Sequence, residues 1–510
     1  MTSKRQAHEP ISERPTECDR SVTAIIVGAG FAGIGMARSF LVAGIDDLLV
    51  LERASTVGGT WRDNVYPGVA CDVPTPLYSY SFAPKADWSN FYAPQRELRA
   101  YLEDCADRFS VRPLIRFNVE VSAAAWDEAN AEWLVIASED SGSGARISRR
   151  YRCRVLISAS GHALSRPVYP DLPGRERYAG TSMHSARWDA SVPLAGRRVG
   201  IVGTGASAVQ IVPSIAPDVG HLTVFQRTAS WVVPRPDRPW APETQAFFRD
   251  HPMALTALRG LIYSVLEVLA TGHVVEPRLH KLLTERLAKW HLEQQVPDPL
   301  LRARLTPNFR LGCKRMLISN EDLPALSRPN VSLVTSPVAS ATETGLLTRD
   351  GKHHPLDVLI YATGYEAADA APPFAITGRG GRRLDGAWSD GIEAYLGTAI
   401  SGFPNLFLIV GPNTGQGHTS MVYMMESQFP YIVAATKALL DGRARALDVR
   451  PDVQANYNQW LQERLGRTVW NTGGCRSWYL SRSGKNTTAW PGYTFQFRAR
   501  LRRFELKQYQ

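Results

Sequence analysis

The chain of 510 residues is long enough for two or three domains, and its 44% hydrophobic and 21% charged content is that of a globular protein, not a disordered one. A net charge of +10 suits an anionic partner, but the densest basic stretch (Arg498, Arg500, Arg502, Arg503, Lys507) reads as a solvated face, which sets nucleic-acid binding aside. Six cysteines (Cys18, Cys71, Cys105, Cys153, Cys313, Cys475) show neither pairing nor metal-ligand spacing, so a reducing compartment, no disulfide framework and no metal are expected.

The first twenty residues carry four basic and four acidic side chains and no apolar core; they read as a disordered tail without a signal peptide. The apolar run 22–27 then reads as a buried parallel strand. The turn Gly28-Ala29-Gly30-Phe31-Ala32-Gly33 leads into a helix over 31–43, and a strand over 48–51 ends at Glu52. In such a βαβ unit the first glycine makes the turn, the second lets the backbone approach a pyrophosphate, and the third lets helix and strand close together. The helix N-terminus then faces the phosphates.

The same grammar repeats. A strand over 199–202 runs into Gly203-Thr204-Gly205-Ala206-Ser207-Ala208, a helix over 206–215 follows, and a strand over 222–225 ends in Gln226-Arg227. Glu52 and Arg227 each stand 24 positions past the first glycine of their turn. Glu52 accepts from ribose hydroxyls and repels a 2′-phosphate, which suits FAD or NAD; a cation at Arg227 favours NADP. Two nucleotide sites in one polypeptide point to a two-cofactor redox enzyme, with NADPH at the second site and FAD or NAD at the first.

Residues 236–310 change to helical periodicity and read as an insertion. Their most apolar stretch, 253–274, is interrupted by Arg259 and Glu267, short of a membrane-spanning segment; the helical segment 253–270 is expected to pack inward as pocket wall or domain core, the alternative being a membrane-surface helix. Strand signals return over 331–334, 358–362 and 408–410, before a Gly-rich loop at 411–417. The fold class expected is α/β, with two interleaved Rossmann-like dinucleotide-binding domains. Residues 21–165 and 370–510 would bind FAD, 166–235 and 311–369 would bind NADPH, and 236–310 would form the helical insertion.

Between the two turns lies Tyr178-Ala179-Gly180-Thr181-Ser182-Met183-His184-Ser185-Ala186-Arg187-Trp188-Asp189. Further motifs are Gly58-Gly59-Thr60-Trp61, four residues, Tyr66-Pro67-Gly68, three residues, Asp72; Gly312-Cys313-Lys314-Arg315; Ala362-Thr363-Gly364; Phe403-Pro404-Asn405-Leu406-Phe407; and Ser477-Trp478-Tyr479. Together these resemble the class B flavoprotein monooxygenases, and the Trp188-Asp189 ending resembles the Baeyer–Villiger form, although that pattern usually opens with Phe where this chain has Tyr178. The resemblance runs from about residue 22 to beyond 490.

The resemblance implies an NADPH- and FAD-dependent monooxygenase that inserts one atom of O2 beside the carbonyl of a small, apolar ketone. The product is an ester or lactone, formed through a C4a-peroxyflavin. It implies that Arg315 stabilises negative charge on oxygen and that Asp72 aims Arg315. Gly28, Gly30, Gly33, Glu52, Gly59, Trp61 and Tyr66 would serve the FAD side. Gly203, Gly205, Ala208, Arg227, Thr228, Lys314 and Trp478 would serve the NADPH side, with His184 and Trp188 in the linker. A cytoplasmic enzyme without integral membrane association follows. The alternative is oxygenation of sulfur or nitrogen by the same chemistry. A disulfide reductase on this scaffold needs a cysteine pair at the flavin, where only Cys71 is near. The loop Gly411-Pro412-Asn413-Thr414-Gly415-Gln416-Gly417-His418-Thr419-Ser420 resembles the branch acting on aryl and natural-product ketones and is expected to approach the isoalloxazine ring.

Overall fold

The apolar run after the tail forms the strand Arg20–Val27, whose Ala24, Ile25 and Ile26 are fully buried. It lies parallel between Leu48–Leu51 and Arg146–Ser158. Burial on both faces is what a parallel strand under helices requires, hence the unbroken apolar sequence. The computed structural model describes residues 20–140, 146–161, 166–276, 278, 282–370 and 372–510. Of the expected tail, only Arg20 is among them, and it opens the first strand.

Two separate sheets organise the chain. The first continues from Leu48–Leu51 to Ile115–Arg116 on one side. On the other, an antiparallel ribbon joins Val119–Asp127, Glu132–Asp140 and Arg146–Ser158. The second sheet is wholly parallel, in the spatial order Val331–Val334, His221–Phe225, Arg198–Val202, Val358–Tyr361, Thr181–His184. The chain leaves the first sheet, builds the second, and returns: Ala375–Thr377 pairs with Val119–Asp127, and Leu406–Leu408 with Arg146–Ser158. The fold is thus α/β, with the two interleaved sheets expected.

Several features depart from the sequence reading, among them the parallel strands Thr181–His184, Ile115–Arg116 and Ala375–Thr377, which it lacks. The antiparallel ribbon was not anticipated, nor was the small antiparallel sheet of Val338–Thr342, Gly345–Thr348 and His353–Pro355. The last strand of the first sheet also spans Leu406–Leu408, not 408–410, because Val410 turns to a positive φ of 60° and ends the extended run.

Residues 236–310 carry the helices Pro242–Asp250, Pro252–Leu269, Thr271–Val274, Thr284–Gln295 and Pro299–Leu305, and no strand among the described residues. Pro252–Leu269 was expected to pack inward. It does so through one face only, burying Leu255, Ile262 and Glu267. Its other face is open to solvent.

The helix Phe31–Val42 rests against its strand at Gly33, where an added Cβ would stand 1.8 Å from the Gly28 carbonyl oxygen. No rotamer relieves a backbone clash, so the Gly33→Ala helix must lift off the sheet. We expect the urea midpoint to fall by the equivalent of about 1–3 kcal/mol. An unchanged midpoint would show that the helix moves freely at this point.

Candidate active site

Both glycine-rich turns open into one cavity of about 1110 Å³, larger than the roughly 300–1,000 Å³ typical of a single small-ligand site. The helices that follow the turns, Phe31–Val42 and Ala208–Ile215, have no side-chain hydrogen bond capping their N-termini and no acidic residue in their first turns. Their leading N–H groups and positive dipole ends are therefore available to an anion. Gly28, Gly30, Glu52, Gly59, Trp61, Tyr66, Asp72, Gly203, Gly205, Arg227, Thr228, Lys314, Arg315 and Trp478 all line this cavity. Gly33, His184, Trp188 and Ala208 do not, although the sequence pattern groups them with the cofactor contacts.

The reasons are local. Gly33 faces its own strand, as above, and Ala208 is the first residue of its helix with its side chain in the second domain's core. His184 ends the strand Thr181–His184 and is fully buried. Its Nδ1 accepts from the Ala186 amide at 3.0 Å, and its ring packs edge-on against Tyr169 and Tyr365. Burial lowers its pKa, so it is a neutral structural histidine. Trp188 packs against the second core.

Glu52 is buried at the end of its strand and is already engaged. Its Oε2 accepts from the Ala29 amide at 2.8 Å, and its Oε1 accepts from the Ala54 amide and from Arg62 Nη1, each at 2.9 Å. The carboxylate braces the glycine-rich turn while one edge faces the cavity.

Across the cavity, Arg315 donates from Nε and Nη2 to Asp72 Oδ2, at 2.8 and 2.6 Å. About a third of each side chain is solvent-accessible, 32% for Arg315 and 33% for Asp72, and both line the cavity. The Asp72 charge pushes the Arg315 pKa up against the opposing effect of burial, so the guanidinium stays charged. Neighbouring Cys71 is fully buried. Burial first, then the Asp72 charge, raise its pKa, leaving a thiol that is a poor nucleophile.

Lys314 and Arg227 form a second polar centre. No carboxylate among the described residues pairs with either. Burial, and then the charge of Arg227, lower the Lys314 pKa. Two cations held together without an acid call for an anion between them. Lys314 Nζ also stands 5.0 Å from the Phe309 ring centroid. The Thr228 carbonyl accepts from Thr204 Oγ1 at 3.0 Å, which fixes the second turn against the end of the next strand.

Gln210, Asn64 and Tyr365, which join the two halves, carried no distinct sequence signal. Tyr66 Oη donates to Gln210 Oε1 at 3.2 Å, and Gln210 Nε2 donates to the Ala70 carbonyl at 3.0 Å. Gly68 lies so close to this helix that a Cβ would meet Ser214 Oγ at 2.1 Å and the Gln210 carbonyl oxygen at 2.6 Å. Tyr365 Oη donates to Asn64 Oδ1 at 2.8 Å, a second tie between the halves. Trp61 Nε1 donates to Tyr78 Oη at 3.3 Å, and both line the cavity.

The cysteine expectation is corrected. Cys313 and Cys475 form a disulfide across 162 positions. Spacing could not reveal it, because tertiary folding alone brings 310–313 onto 473–475, where the Arg310 amide donates to the Gly473 carbonyl. Neither cysteine lines the cavity. The bridge instead ties the segment of Lys314 and Arg315 to that of Trp478 and Tyr479. In the loop 411–420, Gly411, Pro412, Thr414, Gly415, Gln416 and Thr419 line the cavity. His418 turns away from it, and burial pushes its pKa down to about 3. It is therefore neutral, and its 4.0 Å approach to Glu267 is not an ion pair. Among the described residues no group of three potential metal ligands occurs.

Residues 21–250 match the flavin-binding monooxygenase-like family. The chain is 44% identical to a Baeyer–Villiger monooxygenase of Streptomyces coelicolor, over 99% of this chain and 94% of that protein. It is 42% identical to a Baeyer–Villiger monooxygenase of Pseudomonas aeruginosa, over 98% and 93%. Its backbone is similar to that of an oxidized steroid monooxygenase bound to NADP, with a TM-score of 0.82 at 29% identity, covering 94% of this chain and 97% of the other. It is equally similar to OTEMO in complex with FAD and NADP, with a TM-score of 0.83 at 27% identity and the same coverage. The chain therefore belongs to the Baeyer–Villiger monooxygenase family.

Proposed function

We propose that Arg315, held by Asp72, is the electrostatic centre of an oxygenation site. The chain is an FAD- and NADPH-dependent monooxygenase that inserts one atom of O2 beside a ketone carbonyl to give an ester or lactone. When bound, FAD supplies the activation of dioxygen and NADPH the hydride that sustains it. The site fits both: two uncapped helix N-termini and two unpaired cations face one cavity. In this reading residues 21–165 and 370–510 hold FAD and 166–235 and 311–369 hold NADPH. Glu52 and the Gly28–Gly30 turn receive the ribose and pyrophosphate of FAD, with Gly59, Trp61 and Tyr66 around them. Arg227, Thr228 and Lys314 receive the 2′-phosphate of NADPH, and Trp478 covers that nucleotide. Gly33, Ala208, His184 and Trp188 act by positioning.

The observation that carries the reading is the Arg315–Asp72 pair, aimed into the cavity between the two cradles. A permanently charged guanidinium stabilises negative charge that develops on oxygen during transfer, and Asp72 keeps it oriented without removing its charge. Val73, Ile392, Met421 and Met425 line the same cavity and supply apolar wall, which supports an apolar ketone as substrate. We place the enzyme in the cytoplasm, where NADPH is supplied.

Rapid mixing of the NADPH-reduced holoenzyme with oxygen and then with either a ketone or a thioether tests the reaction. Ester formed from the ketone is expected; sulfoxide alone would assign heteroatom oxygenation instead. The Arg315→Ala enzyme should lose about 100-fold or more of ester formation, while FAD remains bound and NADPH oxidation ends in hydrogen peroxide. Wild-type ester yield from that variant would remove Arg315 from the chemistry. For Arg227→Ala, the KM for NADPH should rise about 10–100-fold and that for NADH should hardly change; parallel changes would refute the 2′-phosphate contact. Because burial and Arg227 depress its pKa, Lys314 loses its proton below the value of about 10.4 usual for lysine. The neutral amine no longer attracts phosphate, so the KM for NADPH should climb as pH rises through that depressed value. Lys314→Met should abolish the alkaline rise, and a rise that persists would assign it elsewhere.

A further inference from the structure

The insertion helix Pro252–Leu269 is inverted relative to an ordinary surface helix. Its two charged residues face the protein. Arg259 Nη1 donates to the carbonyls of Pro76, Leu77 and Ser79, at 2.7, 3.2 and 2.8 Å, and Nη2 stands 3.7 Å from Glu426. Glu267 is buried and accepts from the Thr494 amide at 2.9 Å. The outward face holds Met253, Leu261, Val265, Val268 and Leu269, between 50% and 79% exposed. Thr256, Ala257, Gly260 and Ser264 lie between them, so no charge stands on that face. A soluble helix puts charge outward and apolar residues inward; a contiguous apolar surface of this kind marks an interaction site.

Exposed apolar residues recur further along the insertion. Val275, Leu282, Leu283, Leu287 and Trp290 are all exposed. With its last turn the helix spans Pro252–Val274, 23 residues of mean hydropathy 1.6, long and apolar enough by composition to cross a bilayer. It does not read as crossing one, because Arg259 and Glu267 commit one face to the protein. A helix so anchored lies along a surface.

We propose that this face docks the enzyme onto an anionic lipid bilayer, the helix lying in the plane of the interface with its uncharged side among the acyl chains. Charge is the argument for lipid. Among the described residues of the insertion, exposed cations outnumber exposed acids seven to five, with Arg286 and Lys289 on the helix of the exposed Trp290, and the whole chain carries +10. Cations beside an exposed tryptophan are the groups that settle at a headgroup layer. The outward face offers no charge with which to set register against a protein partner. The inward face packs Tyr263 against Tyr423, 4.7 Å between ring centres, close to Met421 and Met425 of the cavity wall. This docking goes beyond the reaction and does not depend on it.

The test is co-sedimentation of the full-length FAD-loaded enzyme with vesicles of phosphatidylcholine alone or mixed equally with phosphatidylglycerol. Binding to the anionic vesicles is expected, weaker in high salt. A Leu261→Glu, Val265→Glu double variant should lower the partition coefficient by about tenfold or more, with FAD content and turnover in solution unchanged. Val268→Glu alone provides a milder second variant should the double one fold poorly. Lack of binding to either vesicle, or binding that survives these variants, overturns the proposal. A wild-type dimer in sedimentation velocity that V265E converts to monomer, without vesicle binding, would reassign the face to contact between copies of the chain.

Discussion

Arg315 reaches its carboxylate across 243 positions of sequence, and much of the architecture serves that one contact. A guanidinium drawn partly out of water costs several kcal/mol unless it is paired. Asp72 belongs to the first nucleotide unit, whereas Arg315 follows the second unit and the helical insertion. Their bond therefore holds only when the two sheets stand in one particular relation. That relation also sets both glycine-rich turns on a single cavity, so the pair records the geometry that the chemistry needs.

Two seams maintain it. At the first, Gly68 lets the chain lie directly on the helix Ala208–Ile215, and Gln210 locks the contact by hydrogen bonds to Tyr66 and Ala70, six and two residues before Asp72. The motif Tyr66-Pro67-Gly68 is thus as much a domain contact as a cofactor contact. At the second, Tyr365 bonds Asn64 and packs on the buried ring of His184. The histidine of the linker motif backs Tyr365 there as a neutral ring. Neither seam supplies a reacting group; both hold Asp72 and Arg315 in register.

The other side of the cavity is closed by elements that sequence distance separates. The Cys313–Cys475 bridge joins the strip carrying Lys314 and Arg315 to the strip carrying Trp478 and Tyr479. The Lys314 cation and the Trp478 ring therefore stand on covalently joined segments. On the outer side, the helix Pro252–Leu269 directs its only two charges inward, where Arg259 satisfies three carbonyls of the loop just past Asp72. The uncharged outward face is the consequence, since no charge remains on the helix for it.

Sequence by itself determined the two βαβ units, because each rests on local chemistry: an apolar strand, a glycine turn, an apolar helix, and Glu52 or Arg227 at a fixed offset. The helical insertion and the parallel strands Val331–Val334 and Val358–Tyr361 were legible for the same reason, but the short strand Thr181–His184 was not. The antiparallel ribbon was not, since Val119–Asp127 and Arg146–Ser158 mix apolar and charged residues without a clean period. Motif membership placed His184, Trp188, Gly33 and Ala208 with the cofactor contacts, but a motif records that residues travel together, not which way they face. Only the tertiary structure decided that Arg315 meets Asp72, that Lys314 stands by Arg227, that Cys313 pairs with Cys475, and that Arg259 and Glu267 turn inward. Each of these joins residues far apart in sequence, and such partners are chosen by how the sheets and helices pack, which no local pattern encodes.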